Sequence, residues 1–236
     1  MNQGLRQQPT LTSDHEVFHD IADRYDRLCD YFSLGAHRIW KRALARTITR
    51  NHPSGVILDL ATGTGNIPEL INRQNPNLYV RGIDICRDMT AQAKRKFPGR
   101  NRVFIEHMDA YNLQKLPTDS MEAVTIAFAM KLCNRKKVLA QAMRVLKPGG
   151  VFYCLETSQV PKPLQGLHSF YLYSIIPLVA DLLKESPVVY RKLISSIRAF
   201  PDQESLRREF HRAGFKSVSH RNLSFGIVSI HQGIKP

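Results

Sequence analysis

The chain has 236 residues, 43% of them hydrophobic and 23% charged, as in an ordinary globular protein. Its 34 Lys and Arg against 20 Asp and Glu give a formal net charge of +14, which calls for an anionic partner or surface. Four widely spaced cysteines without a Cys-x-x-Cys pair argue against a zinc module or a disulfide scaffold. The first 14 residues are too polar for a signal peptide, and no apolar run is long enough to span a membrane, so we expect a cytoplasmic protein.

Two helices are predicted before any strand. A polar tail (1–13) ends in a capping-box pattern, and apolar residues then recur at helical spacing over about 14–30. A second helix is predicted over about 36–49. Because neither helix alternates with strands, we interpret residues 14–50 as an N-terminal helical cap.

From Gly55 onward, short apolar runs alternate with amphipathic segments. Strands are predicted at 56–60, 79–84, 103–108, 123–128 and 151–155, helices at 89–97 and 135–146, and a closing helix (202–212) with two strands (216–222 and 225–231). The run Lys147-Pro148-Gly149-Gly150 is predicted to stop the helix before the fifth strand. This alternation predicts a Rossmann-like α/β fold with a mostly parallel sheet, whose ligands bind at the carboxyl ends of the strands.

Residues 161–200 interrupt the alternation and are predicted to form a helical insertion. Its segment 170–183 is the most apolar stretch of the chain, which favours either core packing or a surface that closes over an apolar substrate or dips into lipid. No linker marks a second domain. We therefore expect a single domain over 14–236, made of the cap, a cofactor-binding core (55–160), the insertion and a closing segment (201–236).

The first strand ends in a turn that suits an adenosine-containing ligand. Gly63 and Gly65 allow a tight turn and the close approach of a ligand. Asp84, at the end of the next strand, can accept hydrogen bonds from both ribose hydroxyls or, alternatively, cap the following helix. A dinucleotide fingerprint would need a third glycine where this chain has Pro68. Because Asp59 offers negative charge to an amino group and a sulfonium, the turn favours S-adenosylmethionine over NAD.

Two segments match the signatures of one enzyme family. Segment 25–40 keeps the Tyr-Asp, Ser, His and Trp of the first signature, segment 144–158 matches the second throughout, and the likeness continues towards the C-terminus. The departures in the first signature are Leu28, Cys29 and Phe32. Over residues 17–236 the chain resembles the C-methyltransferases of ubiquinone and menaquinone biosynthesis (UbiE/MenG type).

This resemblance implies a class I methyltransferase fold with a seven-stranded, mostly parallel sheet. It implies S-adenosylmethionine as the cofactor and methylation of a ring carbon of a polyprenylated benzoquinol or naphthoquinol. One family contact, a serine, falls on Ala127 here, and Asp109 is placed to meet the adenine amino group. With the residues of the turn, the expected cofactor-binding set is Asp59, Gly63, Thr64, Gly65, Asp84, Ile85, Asp109, Ala110 and Ala127.

The family commonly reads Phe-Gly-Leu-Arg-Asn after the fourth strand, where this chain has Phe128-Ala129-Met130-Lys131-Leu132. Lys131 keeps the charge of the arginine without its planar fork, and Leu132 removes a hydrogen-bonding side chain. A ring carbon becomes a good nucleophile when the neighbouring phenol loses its proton, so a base or a cation that stabilises phenolate is needed. The resemblance makes Lys131 that candidate.

Three further side chains are candidates near the reaction. Tyr25 is expected beside the sulfonium, and His37 and Glu156 on the substrate side. His37 has an alternative interpretation as a structural histidine that joins the cap to the core. Lys131 has one as an ordinary solvated charge at a helix start.

Two other functions are weighed and set aside. Residues 15–19 spell His-Glu-x-x-His, a zinc motif, but the capping box already explains Glu16 and no third ligand is near, so no metal is expected. Basic clusters such as 94–96 and 135–137 lack the interleaved aromatic residues of an RNA surface, so no nucleic acid is expected. The positive charge suits the anionic inner face of a membrane, where a polyprenylated substrate resides.

Three functions stay open. The first is the quinol C-methyltransferase, and the second is a methyltransferase for another aromatic or polyketide metabolite, favoured by Lys131-Leu132. The third is a non-catalytic scaffold of a quinone-biosynthesis complex, against which Asp59 and Asp84 weigh. The expected partners are a small aromatic quinol, a membrane surface contacted peripherally, and a second copy of the chain or a quinone-biosynthesis complex.

Overall fold

The computed structural model describes residues 19–99 and 102–236. The predicted polar tail, its capping-box pattern and most of the His-Glu-x-x-His motif lie outside the described residues.

Seven strands form one sheet. They are β1 (Gly55–Leu60), β2 (Leu78–Asp84), β3 (Val103–His107), β4 (Met121–Ala127), β5 (Leu146–Thr157), β6 (Lys216–Leu223) and β7 (Val228–Ile234). Their order is β3-β2-β1-β4-β5-β7-β6. Strands β1 to β5 pair in parallel, and β7 runs antiparallel to both of its neighbours. This arrangement confirms the predicted α/β fold with a mostly parallel sheet.

Among the described residues, two α-helices precede the first strand, and α-helices fill four of the six connections between the strands. They are α1 (Tyr25–Ser33), α2 (Ala36–Asn51), α3 (Asn66–Gln74), α4 (Arg87–Arg95), α5 (Arg135–Val145), α6 (Gln165–Phe170), α7 (Ile176–Leu182), α8 (Pro187–Ala199) and α9 (Gln203–Arg212). Helix α9 begins at Asp202, whose carboxylate accepts from Ser205 N, as an N-cap residue does.

Apolar side chains on alternate faces of the strands form two core clusters. Leu58 and Leu60 of β1 pack with residues of α5 and α9, including Leu139 and Phe210. Ile57 belongs to a second cluster, with residues of α2 and α3. The sheet therefore lies between two helical layers, and its carboxyl edge is left to the turns that carry the predicted site.

Two predicted boundaries of the cap and the sheet are wrong. The first helix is interrupted by a 3-10 turn at Ala22–Arg24 and continues to Ser33, where Leu34 and Gly35 take positive φ and end it. The segment from Lys147 to Gly150 is part of β5 rather than a stop before it. Backbone hydrogen bonds of 2.9 Å between this segment and Lys235 hold it in the sheet, which no local pattern reveals.

The last strand lies three residues later than predicted. Phe225 has φ of 57° inside the turn Ser224–Gly226, and this left-handed conformation breaks the extended chain. Strand β7 begins at Val228 and pairs with both β5 and β6.

The insertion is amphipathic. A π-helical turn at Tyr171–Ile175 joins α6 to α7, and Leu172, Ile176 and Ala180 are buried in a cluster with residues of α8. The other face of the same segment is open to solvent. Its exposed apolar residues are Phe170, Tyr173, Leu178 and Leu182. Core packing and an apolar outer surface, the two interpretations of this segment, thus apply to different faces of it.

We expect Gly65→Ala to lower the free energy of unfolding more than Gly63→Ala does. Both positions have positive φ, 80° and 56°, where an alanine costs about 1 kcal/mol. At Gly65 a Cβ would also lie 3.0 Å from Phe97 Cε2 and 3.1 Å from Ala93 Cβ, whereas at Gly63 no atom lies within 4 Å. Overpacking adds about 1–3 kcal/mol. Urea titration measures both variants, and equal losses would contradict this packing.

Candidate functional site

The glycine turn is fastened to the end of β2. Gly63 N donates to Asp84 Oδ2 at 2.8 Å, and Thr62 N donates to Ile83 O at 2.8 Å. The other carboxylate oxygen of Asp84 accepts from Cys86 N at 2.8 Å. Through these two hydrogen bonds the Asp84 carboxylate sets the position of the glycine turn relative to the end of β2.

The ends of β2 and β3 are joined beside this turn. Met108 N donates to Asp84 O at 3.0 Å, and His107 Nε2 bonds to Ile85 O at 2.8 Å. Asp109 Oδ1 accepts from Tyr111 N at 2.8 Å, which sets the direction of its side chain. The positions predicted to contact adenosine thus share one edge of the sheet.

Asp59, at the end of β1, is a buried carboxylate that is only half satisfied. It is 1% exposed; its Oδ2 accepts from Thr62 Oγ1 at 2.6 Å, and its Oδ1 has no hydrogen-bond partner. Burial raises the pKa of Asp59 to about 7, against the opposing effects of the Thr62 hydrogen bond and the Lys41 charge. A ligand donor at Oδ1 would therefore bind strongly, since buried carboxylates need partners.

Helix α1 of the cap is held on the turn by Asp26. Its Oδ1 accepts from Thr64 Oγ1 and from Asn66 Nδ2, each at 2.8 Å, and its Oδ2 lies 3.2 Å from Lys96 Nζ. Burial opposes ionisation, but the Lys96 charge and these hydrogen bonds lower the pKa of Asp26 below its usual value. The cap therefore has a fixed position over the cofactor turn. Asp26 belongs to the first signature, and its contact with the turn was not predicted from the sequence.

A cavity of about 670 Å³ lies between this turn, the cap and the insertion. The predicted site residues that line it are Asp59, Gly63, Thr64, Ala127, Tyr25, His37 and Lys131. The other predicted cofactor residues, Gly65, Asp84, Ile85, Asp109 and Ala110, are not among the residues that line it. Apolar residues of the insertion, among them Leu164 and Leu172, form the far wall. The Tyr171 hydroxyl donates to Phe32 O at 2.5 Å and ties the insertion to the cap.

His37 is a neutral base held by a carboxylate. Its Nε2 lies 2.8 Å from Asp30 Oδ1, and Arg38 holds the same carboxylate at 2.6 and 2.5 Å. The Arg38 hydrogen bonds lower the pKa of Asp30 to about 2, so Asp30 is an acceptor and His37 Nε2 carries the proton. Burial, then the Lys41 charge, lowers the pKa of His37. Its buried Nδ1 has no partner and is an unprotonated acceptor.

Lys131 forms a buried ion pair rather than a solvated helix-start charge. Its Nζ lies 2.9 Å from Glu156 Oε1, with the two side chains 4% and 0% exposed, and it also donates to Phe128 O at 2.5 Å. Glu156 further accepts from Lys131 N and Thr157 N. Glu156 does not line the cavity, so its contact with the site runs through Lys131. One N–H of the ammonium is left for a ligand.

Tyr25 lies in the first turn of α1 and contacts the cavity beside Cys29. The Cys29 side chain and burial raise the pKa of Tyr25 well above its usual value, so its hydroxyl stays protonated at neutral pH. Burial also raises the pKa of Cys29. Cys29 stands at a position where the first signature has an asparagine.

Lys41, which was not predicted from the sequence, lines the cavity from α2. Helical spacing from His37 placed it on the same helix face, and this was the available signal. Within residues 19–99 and 102–236, no group of three or more His, Cys, Asp and Glu side chains is arranged to hold a metal ion. In the same part of the chain, no helix is both long and apolar enough to cross a bilayer.

Comparison with known proteins gives close relatives of this chain. UbiE of Bartonella bacilliformis, a ubiquinone/menaquinone biosynthesis C-methyltransferase, is 37% identical over 226 residues, which cover 93% of this chain and 86% of that protein. The mitochondrial 2-methoxy-6-polyprenyl-1,4-benzoquinol methylase of Drosophila melanogaster is 37% identical over 252 residues, covering 99% and 83%.

The fold also matches solved structures. A SAM-dependent methyltransferase from Thermotoga maritima superposes with a TM-score of 0.68 at 16% identity, over 94% of this chain and 99% of that one. This likeness confirms the class I methyltransferase fold, and S-adenosylmethionine is the methyl donor of this class of enzyme. The model of the ubiE/COQ5 methyltransferase family matches residues 7–235. With nearly its whole length matched and identities above 30% to a bacterial and an animal relative, the chain belongs to the ubiE/COQ5 methyltransferase family.

Proposed function

We propose that this protein transfers a methyl group from S-adenosylmethionine to a ring carbon of a polyprenylated benzoquinol or naphthoquinol. The observation that carries the proposal is one cavity with two different ends. Asp59 and Gly63 form the polar end, and the insertion forms the apolar end. A charged methyl donor and an oily acceptor need such a pair of environments in contact. The named activities of the relatives agree with it.

The residues at the turn fit S-adenosylmethionine. Asp59 Oδ1 is a buried acceptor without a partner, and the space above Gly63 is open, so a ligand can reach the backbone. Asp59 and Thr64 would hold the amino-acid end, and Asp84 and Asp109 the adenosine, over the ends of β1 to β3. When bound, S-adenosylmethionine supplies an electrophilic methyl group on a positively charged sulfur.

The chain's own contribution is proton removal and orientation. His37 Nδ1 takes the proton of the acceptor hydroxyl that neighbours the reacting carbon, and Asp30 stabilises the imidazolium that forms. Lys131 Nζ donates its remaining N–H to the phenolate oxygen. Its charge is balanced by Glu156, so it acts as an oriented donor and not as a free cation. Tyr25 lines the same cavity from the cap, and the apolar walls exclude water.

The mouth of the cavity suits a membrane-bound acceptor. Leu34, Leu167 and Phe225 line the cavity and are 77%, 70% and 83% exposed. Together with the exposed face of the insertion they form an apolar rim, and the net charge of +14 favours an anionic lipid surface. We propose that the rim contacts the membrane and admits the prenyl chain. A homodimer or a quinone-biosynthesis complex is a proposal that the family resemblance alone supports.

One observation favours a second candidate, an aromatic or polyketide acceptor of another kind. Residues that depart from the family patterns line the cavity: Leu28, Cys29, Phe32, Ala127, Lys131 and Leu132. Three of these positions have lost a polar side chain. An acceptor with fewer polar ring substituents than the family's quinols would match such a cavity.

In the first experiment, the purified protein is incubated with S-adenosylmethionine that carries a labelled methyl group. The acceptors are reduced demethyl benzoquinols and naphthoquinols in lipid vesicles. We expect label on a ring carbon of one of them, located by mass spectrometry and NMR. We also expect a strain that lacks the gene to accumulate the corresponding demethyl quinone. Cofactor binding without methylation of either quinol, and an unchanged quinone profile, would favour the second candidate.

The role of Lys131 is tested together with its partner. Lys131→Met leaves Glu156 buried and unpaired, which lowers the free energy of unfolding by about 3–5 kcal/mol. The double variant Lys131→Met, Glu156→Gln removes both charges and recovers most of that stability. We expect the double variant to bind S-adenosylhomocysteine as the parent does but to have lost about 10-fold or more in turnover. Normal turnover of the double variant would make the pair purely structural.

The apolar rim is tested by Leu167→Asn with Phe225→Asn, because asparagine tolerates the left-handed conformation at residue 225. Removing two exposed apolar side chains should weaken binding to anionic vesicles by about 10-fold, measured by co-sedimentation. The ratio of turnover on a long-tailed acceptor to that on a short-tailed one should also fall. Phe104→Asn is the control, since Phe104 is 49% exposed on β3 and does not line the cavity. Equal effects of the control would contradict this surface.

A further inference from the structure

Lys41 is a largely buried lysine on a helix face that otherwise packs into the core. The buried face of α2 consists of His37, Lys41, Leu44, Ala45 and Ile48, and the last three pack in an apolar cluster. Lys41 is 8% exposed. A lysine needs a reason to be at such a position, because a buried charge is costly unless it is paired.

The cations that line the cavity differ in their partners. Lys131 is paired with Glu156, and Lys192 of α8 also has an interaction within the protein. Among the residues that the structure describes, neither a hydrogen bond nor an ion pair is formed by the Lys41 ammonium. It lines the cavity, so a ligand can reach it.

Asp59 is a second charged residue of the same cavity, and its charge is opposite to that of Lys41. It lines the cavity, its Oδ1 lacks a partner, and Lys41 is close enough to stabilise its charge. Two opposite charges, each short of a partner and both beside the glycine turn, match a ligand group that carries both signs on neighbouring atoms. The α-ammonium and α-carboxylate of an amino acid are such a group.

We propose that Lys41 binds the α-carboxylate of the methionine end of S-adenosylmethionine while Asp59 Oδ1 accepts from its α-ammonium. The inference rests on the proposed use of this cavity for the cofactor. Each protein charge then gains the partner it lacks, and the zwitterion is fixed at both ends. Lys131 and His37 line the same cavity, where the bound cofactor would supply its methyl group.

The test measures binding by calorimetry, with ligands that lack one charge at a time. S-adenosylhomocysteine carries both charges, its decarboxylated amine keeps only the ammonium, and methylthioadenosine has neither. Lys41→Met should raise the Kd of S-adenosylhomocysteine by about 10- to 100-fold and that of the decarboxylated amine by less than about threefold. Asp59→Asn should raise the Kd of S-adenosylhomocysteine and of its decarboxylated amine, and should leave the Kd of methylthioadenosine unchanged. Lys192→Met is the matched control and should change none of the three.

Each result decides. Equal weakening of both amines by Lys41→Met, or none, overturns the assignment, and thermal unfolding with the Lys41→Arg variant excludes a folding defect as the cause. If Lys41→Met left the Kd of S-adenosylhomocysteine unchanged but lowered turnover, Lys41 would instead act on the acceptor, and the assignment would be overturned. Failure of the parent protein to bind S-adenosylhomocysteine would refute the proposed function itself, which is a different result from failure of Lys41 alone.

Discussion

The burial of Asp59 at the end of the central strand is the constraint on which the site depends. Raising the pKa of Asp59 from 3.8 to about 7 corresponds to on the order of 4 kcal/mol of destabilisation at neutral pH. Thr62 satisfies one carboxylate oxygen and leaves the other without a partner. A fold keeps such a group where function requires it, and a ligand donor at Oδ1 would recover part of the cost. The turn, the cap and the cavity are all arranged around this carboxylate.

The cap is part of the same arrangement because one carboxylate connects it to the turn. Asp26 accepts from Thr64 and Asn66, which belong to the cofactor side. On the same helix, Tyr25 and Cys29 line the cavity. Asp30, one residue after Cys29, binds the His37 side chain and orients it. A single helix thus relates the position of the turn to the position of the proposed base. The Asp26–Lys96 pair is partly exposed and adds little, so the two hydrogen bonds set this geometry.

The sequence predicts what local patterns determine. Apolar runs, the glycine turn and Asp84 at the end of β2 give the sheet and the cofactor edge, because strand ends meet at one edge in a parallel sheet. Tertiary pairing decides the rest. The pairing of Lys131 with Glu156 joins residues 25 positions apart, and the segment from Lys147 to Gly150 is held in β5 by hydrogen bonds to Lys235, just after β7. Lys41 was not predicted because a lysine on an N-terminal helix is usually solvated, and its place in the cavity depends on tertiary packing.

Some charged side chains of the cavity are paired within the protein and others are not, and this difference favours one orientation of a bound ligand. Lys131 and His37 have carboxylate partners within the protein, whereas in the proposed assignment Asp59 Oδ1 and Lys41 bind the ligand. Cys29, Ala127 and Leu132 supply little hydrogen bonding along the walls between them. In that assignment a ligand with charges at one end would have one favourable direction, with its charges at the turn and its methyl group on the side of His37. An acceptor with an oily tail would take the opposite direction, because apolar residues of the insertion such as Leu164 and Leu172 line the cavity. The two ligands can meet head to head in one order, and that order places the methyl group between them.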